Sequence, residues 1–185
     1  MAKFQVGEKL DDFSYDTPFE PGLRLKETAE RVSGRTAILF LRYYGCTLCQ
    51  LDIHRLMAGY ERIRETGGQA LVVLQSRPQT IALQVKPGEL PFDIICDPEG
   101  QLYEKYGIMA AASMEETQDE RTMEKVAQAR AEGFSHGEYE GEELQLPAAV
   151  VLQRDLTVTY AHYGTSAGDV PDVEELVKRL TEETE

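Results

Sequence analysis

The sequence predicts an α/β chain with a mixed central sheet and flanking helices. Continuous apolar runs of strand length, at 36–44, 70–75 and 92–96, alternate with segments of helical periodicity. Two further runs, 148–153 and 156–163, are joined by a short turn and read as a hairpin. An amphipathic segment, 168–180, ends the pattern. A β-α-β-α-β order calls for parallel pairing, and the hairpin adds an antiparallel edge.

Each element has its own signal. "TAILFLRYY" (36–44) lacks alternation, as a strand buried on both faces does. From Cys46 to Thr66 the residues Leu48, Leu51, Leu56, Tyr60 and Ile63 recur at helical spacing, and Gly67 and Gly68 stop the helix. "ALVVLQ" (70–75) is a second strand. Ser76 is the expected cap of a helix that follows Pro78 and ends at "KPG" (86–88). "FDIIC" (92–96) is a third strand, closed by the turn-like "DPEG". Asp169 is the expected N-cap of the last helix. Residues 108–146 interrupt the pattern with an inserted helix around 113–132 and a Gly-rich loop, within a single domain over 1–185.

Composition narrows the function. With 42% hydrophobic residues among 185, the chain buries a real core. A net charge of −14 argues against nucleic acid or an anionic membrane as partner. No 18-residue apolar run is present, and the first residues lack the apolar core of a signal peptide, so a cytoplasmic protein is expected. Three cysteines are too few for a disulfide-stapled scaffold. "GGQA" (67–70) lacks the dinucleotide-binding pattern, and no cofactor is expected.

The chemistry centres on Cys46 and Cys49, two residues apart between a buried strand and a helix. Ligands and catalytic groups collect at such strand ends. Unpaired N–H groups and the dipole at a helix start favour an anion, and a thiolate is one. Cys49 lies one turn on, within reach of a disulfide. Arg42 adds positive charge if it points to the loop, and Tyr43 and Tyr44 are placed to shield the site. Two other readings stand beside the redox one. The cysteines are inert core residues, or they bind zinc with His54 and Cys96, although no second close ligand pair is present. Cys96 reads as a buried strand residue, and His136 and His162 as plain surface or strand residues.

"FQVGEKLDDFSYDT", "AILFLRYYGCTLC", "FDIICDPEGQLYEKYGI" and "LQLPAAVVLQRDLTVTYAHYGTSAGDVP" follow one another in an order that resembles the peroxiredoxin-like branch of the alkyl hydroperoxide reductase/thiol-specific antioxidant (AhpC/TSA) family. The resemblance implies a thioredoxin-like three-layer sandwich and thiol-dependent oxidoreductase activity. It also implies a cis Leu146–Pro147 bond beside Cys46. Aligned on the peroxiredoxin turn, Cys49 takes the place of the peroxidatic cysteine, Cys46 that of a threonine and Arg42 that of a proline. The family's peroxide-steadying arginine falls near Pro147, and Arg42 or Arg77 is then its replacement. The tryptophan that precedes the first cysteine in thioredoxins is Gly45 here.

The expected catalytic residues are therefore Cys46 and Cys49, supported by Pro147, Arg42 and Tyr44, with Cys46 the more exposed by helix position. The expected activity is antioxidant reduction of hydroperoxides through a Cys46–Cys49 disulfide, which a cellular dithiol such as thioredoxin reduces. A protein disulfide reductase and a non-catalytic redox-regulated binding module, using 108–146, are the alternatives. The resemblance also implies pairing as a homodimer.

Overall fold

A computed structural model describes residues 2–183. Two short strands, β1 (Ser14–Tyr15) and β2 (Leu23–Arg24), pair antiparallel and lead into α1 (Leu25–Glu30). Then come β3 (Thr36–Phe40), α2 (Thr47–Ala58), α3 (Tyr60–Glu65), β4 (Gln69–Leu74), α4 (Pro78–Ala82) and β5 (Ile94–Cys96). The second half holds α5 (Gln101–Lys105), α6 (Glu120–Ala131), β6 (Ala148–Leu152), β7 (Val158–Tyr163) and α7 (Val173–Thr181).

The main sheet has the order β5-β4-β3-β6-β7. β3 pairs parallel with β4 and antiparallel with β6, so the sheet is mixed, as the sequence pattern requires. Alternate residues of each strand feed two cores. On one side Leu39, Val72 and Val151 pack with Leu48, Leu56, Ile63 and Leu176. On the other, Ile38, Val73 and Val150 pack with Leu25, Tyr103 and Tyr106. Helices on both faces of a mixed sheet make the thioredoxin-like three-layer sandwich. Among the described residues no helix is long and apolar enough to cross a membrane.

Several local expectations are corrected. The strand expected over 36–44 ends at Phe40. Its continuation still bonds to the neighbouring backbone through Leu41 N to Val73 O (3.0 Å) and Gln75 N to Arg42 O (2.7 Å), and then turns: the Tyr44 amide donates to Ser76 Oγ at 2.9 Å and the Cys46 amide to the Tyr43 carbonyl at 3.2 Å. Ser76 is thereby engaged, and Arg77 rather than Ser76 stands at the N-cap of α4. That helix stops at Ala82, short of the expected end at 86–88.

The helix expected from Cys46 to Thr66 breaks at Gly59, where α7 docks. A Cβ at Gly59 would lie 2.8 Å from the Val173 side chain. Asp169 is not the cap of α7, because its carboxylate accepts from Thr165 N (2.9 Å) and contacts His162 Nε2 (3.0 Å). Asp172 caps instead, accepting from Glu175 N at 2.9 Å. The inserted helix is shorter than 113–132: Asp119 caps α6, which follows a single 3-10 turn at Glu115–Thr117.

Candidate active site

β3 delivers the chain to the site, and the turn at 41–45 feeds α2. Cys46 is the N-cap of α2, with extended backbone, and its sulfur accepts the Cys49 amide at 3.4 Å. It thus satisfies one of the amides that a helix start leaves without partners. Cys49 lies one turn on, and its own sulfur accepts the Arg42 amide at 3.4 Å. Both are free thiols.

The two thiols are driven apart. The neighbouring Cys49 thiol is the main influence holding the Cys46 thiol below the ordinary cysteine value. The Arg42 charge and the Cys49 and Leu48 amides add to it, against the opposing effect of burial. Burial first, and then the neighbouring Cys46, push Cys49 well up. Neither cysteine stands open to solvent: Cys46 is 2% and Cys49 4% exposed, so the expected exposure of Cys46 does not set the two apart.

A small cavity of about 10 Å³ adjoins the pair, lined among others by Arg42, Asp52, Gln145 and Pro147. Pro147 therefore sits beside the cysteines. Its peptide bond is trans, because the described residues contain no cis bond, and this corrects the expected cis Leu146–Pro147. Residues 144–146 run extended along 109–111, with Ala111 N donating to Leu144 O (2.9 Å) and Leu146 N to Met109 O (3.3 Å). The chain then enters β6 without reversing.

Arg42 does point into the site. Its guanidinium donates to the Glu143 carbonyl and lies 3.4 Å from Glu143 Oε1. Tyr43 is fully buried, and its hydroxyl donates to Glu143 Oε2 (2.5 Å) and contacts His136 Nε2 (2.9 Å). His136 stacks on Tyr139 with ring centroids 4.0 Å apart. His136 is exposed, as expected of a surface residue, and it meets the site through the Tyr43 hydroxyl.

Residues 135–143 form a strap over the turn. Gly137 N donates to Gly45 O at 2.8 Å, and Gln50 Nε2 donates to Ser135 O at 2.9 Å. A Cβ on Gly45 would stand 2.3 Å from the Glu138 carbonyl oxygen. The strap accounts for a glycine where thioredoxins carry tryptophan.

Other candidates lie apart. Tyr44 is half-buried and pinned through its amide, and it does not line the cavity. Arg77 is exposed, with its amide on Glu140 Oε2 (3.1 Å). Cys96 ends β5, and burial, followed by Asp16 and Glu140, pushes its thiol up to about 12. His54 is exposed and edge-on to Phe134. Among the described residues no three His, Cys, Asp or Glu side chains gather as a metal site.

Sequence reasoning missed His136, Glu143, Gln145 and Asp52. The first three come from a loop some hundred residues from Cys46, and no local pattern marks them. Asp52 carried a signal, being three residues after Cys49 on the same helix.

The model of the AhpC/TSA family matches residues 6–161. No curated protein sequence matches the chain. Among solved structures, AhpC of Enterococcus faecalis is similar, with a TM-score of 0.63, 16% identity, and 96% of this chain and 90% of that one covered. The reduced 2-Cys peroxiredoxin of Plasmodium vivax gives a TM-score of 0.65 at 12% identity, covering 94% and 78%. A peroxiredoxin-like protein of Aquifex aeolicus gives 0.64 at 12% identity, covering 97% and 88%. At these identities the likeness is one of fold, while the family match extends over most of the chain. The chain belongs to the AhpC/TSA family of thiol-based oxidoreductases.

Proposed function

We propose that the chain reduces hydroperoxides by cycling Cys46 and Cys49 between dithiol and disulfide, with Cys46 attacking and Cys49 resolving. The observation that carries this reading is Cys46 at the N-cap of α2, accepting the Cys49 amide and held below the ordinary thiol value beside Arg42. A thiolate there attacks one peroxide oxygen, the O–O bond breaks, and the alcohol or water leaves with a proton. Cys46 is then a sulfenic acid. Cys49 attacks its sulfur, the S–O bond breaks, and water leaves as the disulfide forms.

Arg42, whose charge acts on both sulfurs, is the cation that steadies the departing oxygen in this reading. Pro147 walls the cavity, and Tyr44 serves only through its backbone. An external dithiol of the thioredoxin type then restores the pair, in keeping with a reducing, cytoplasmic setting. The chain acts as one domain, with the 108–146 insertion supplying the strap over the dithiol.

One observation favours a second reading, protein disulfide reduction. Where peroxiredoxins place a threonine hydroxyl, this chain places Cys46 itself. The two readings separate when reduced protein meets one equivalent of hydrogen peroxide and the products are assigned by mass spectrometry. Thiol loss far faster than that of free cysteine, ending in a Cys46–Cys49 disulfide, is the expected result. Loss at the free-thiol rate would leave disulfide exchange as the activity.

A further inference from the structure

One buried ion pair next to the dithiol has no part in the chemistry so far. Lys125 Nζ of α6 lies 2.6 Å from Asp52 Oδ1 of α2, with the side chains only 11% and 10% exposed. Lys125 also donates to the Gly168 carbonyl at 3.2 Å. Taking two charges from water is expensive, and an apolar pair of similar volume often serves stability as well. The position of this pair is informative.

Asp52 lines the small cavity that holds Cys46, Cys49 and Pro147. It also lines an open groove of about 940 Å³ between α2, α6, β7 and α7. Among the described residues it is the one side chain common to both spaces. The cavity, at about 10 Å³, is near the size that admits one water. A base that reaches its proton through one water is within catalytic range.

The resolving step needs such a base. Cys49 is buried and protonated, and only its thiolate attacks. We propose that Asp52, held in place by Lys125, is the proton relay of the dithiol: it takes the Cys49 proton as that sulfur bonds to Cys46 and passes it to solvent in the groove. The proposal rests on the Cys46/Cys49 cycle above. With a sulfenic acid on Cys46, the S–O bond breaks, hydroxide departs, and it takes a proton from solvent to leave as water while Asp52 hands the Cys49 proton to the groove. With a mixed disulfide on Cys46, the S–S bond to the outer group breaks, that group departs as a thiolate, and the proton escapes through Asp52.

The charged groups facing Asp52 are Lys125 from α6 and Arg55 from its own helix. Across the cavity stand Arg42 and the two thiols, and along the groove Arg121, Glu124, His162 and Asp169.

The test uses dithiobis(nitrobenzoate) on the full chain carrying Cys96→Ser, and therefore does not depend on peroxide. Cys46 attack releases one thionitrobenzoate, and Cys49 resolution releases a second. In Asp52→Asn the first release is expected unchanged and the second about tenfold slower or more at neutral pH. The second release should also recover as pH rises, because hydroxide then removes the proton. Asp52→Leu with Lys125→Met leaves no unpaired buried charge and should show the same pattern. A second release as fast as in the parent, or both releases slowed together without alkaline recovery, would overturn the relay. A parent chain that gives a single release would refute the Cys46/Cys49 cycle itself, and the relay with it. Slow reaction with peroxide beside two normal releases would count against the peroxidase reading alone.

Discussion

The amide of Cys49 donates to the sulfur of Cys46 at 3.4 Å, and the neighbouring Cys49 thiol, itself pushed well above its ordinary value, is the main influence that lowers Cys46. One residue thus stabilises the Cys46 thiolate twice. A thiol whose value is lowered stays ionised as pH falls, and loses its charge only at a pH where an ordinary cysteine is already fully protonated. Alkylation of Cys46 by iodoacetamide should therefore be level at neutral pH and fall only on acidification. Cys49→Ala removes the Cys49 thiol and should move the midpoint upward by about one unit. A midpoint at the ordinary thiol value in the parent chain would contradict this.

Arg42 lines the cavity beside the pair, and its charge lowers Cys46. It is held by Glu143, whose carbonyl and carboxylate both face the guanidinium. Arg42→Met should slow alkylation of Cys46 at neutral pH by roughly tenfold, equivalent to one unit of thiol ionisation. Arg42→Lys should restore part of the rate, since charge returns without the planar fork. Stopped-flow alkylation of the two variants checks both.

Gly45→Ala places a methyl group into the backbone of the strap at Glu138. Overpacking of this kind typically costs about 1–3 kcal/mol. If the strap lifts instead, the cysteines become open to bulky probes. Urea unfolding combined with the rate of maleimide labelling should show lower stability, faster labelling, or both. A variant unchanged in both would mean that 135–143 does not press on the turn.

Cys96 should stay silent. Burial and two nearby carboxylates push its thiol up to about 12, so almost none is thiolate at neutral pH. Cys96→Ser should leave the rate and stoichiometry of Cys46–Cys49 oxidation unchanged, and labelling of Cys96 should lag well behind Cys46. Mass spectrometry of a labelling time course tests this.

The parts legible in the sequence are those set by local periodicity. The buried strands, the hairpin and the strand-to-helix position of Cys46 follow from apolar runs and spacing. The misses arise where a distant segment competes for a local signal. Asp169 looks like a cap, but His162 and Arg121 occupy it; the Asp172–Glu175 pair carried the better signal, an acidic residue three positions before a glutamate. Gly59 sits in an otherwise helical run, and only the arrival of Val173 explains the break. Glu143 and His136 reach Arg42 and Tyr43 from a loop whose composition signals only exposure. The pairing of 144–146 with 109–111 just before the trans Leu146–Pro147 bond is likewise a contact that the sequence does not reveal.

The central claim is that Cys46 attacks first and Cys49 resolves. The most direct measurement treats the Cys49→Ser and Cys46→Ser chains with one equivalent of hydrogen peroxide in the presence of dimedone, then locates the sulfenic acid adduct by mass spectrometry. The account predicts an adduct on Cys46 in Cys49→Ser and almost none on Cys49 in Cys46→Ser. An adduct that forms readily on Cys49 while Cys46 stays unmodified would contradict it and assign the attack to the cysteine that aligns with the peroxidatic position of the family.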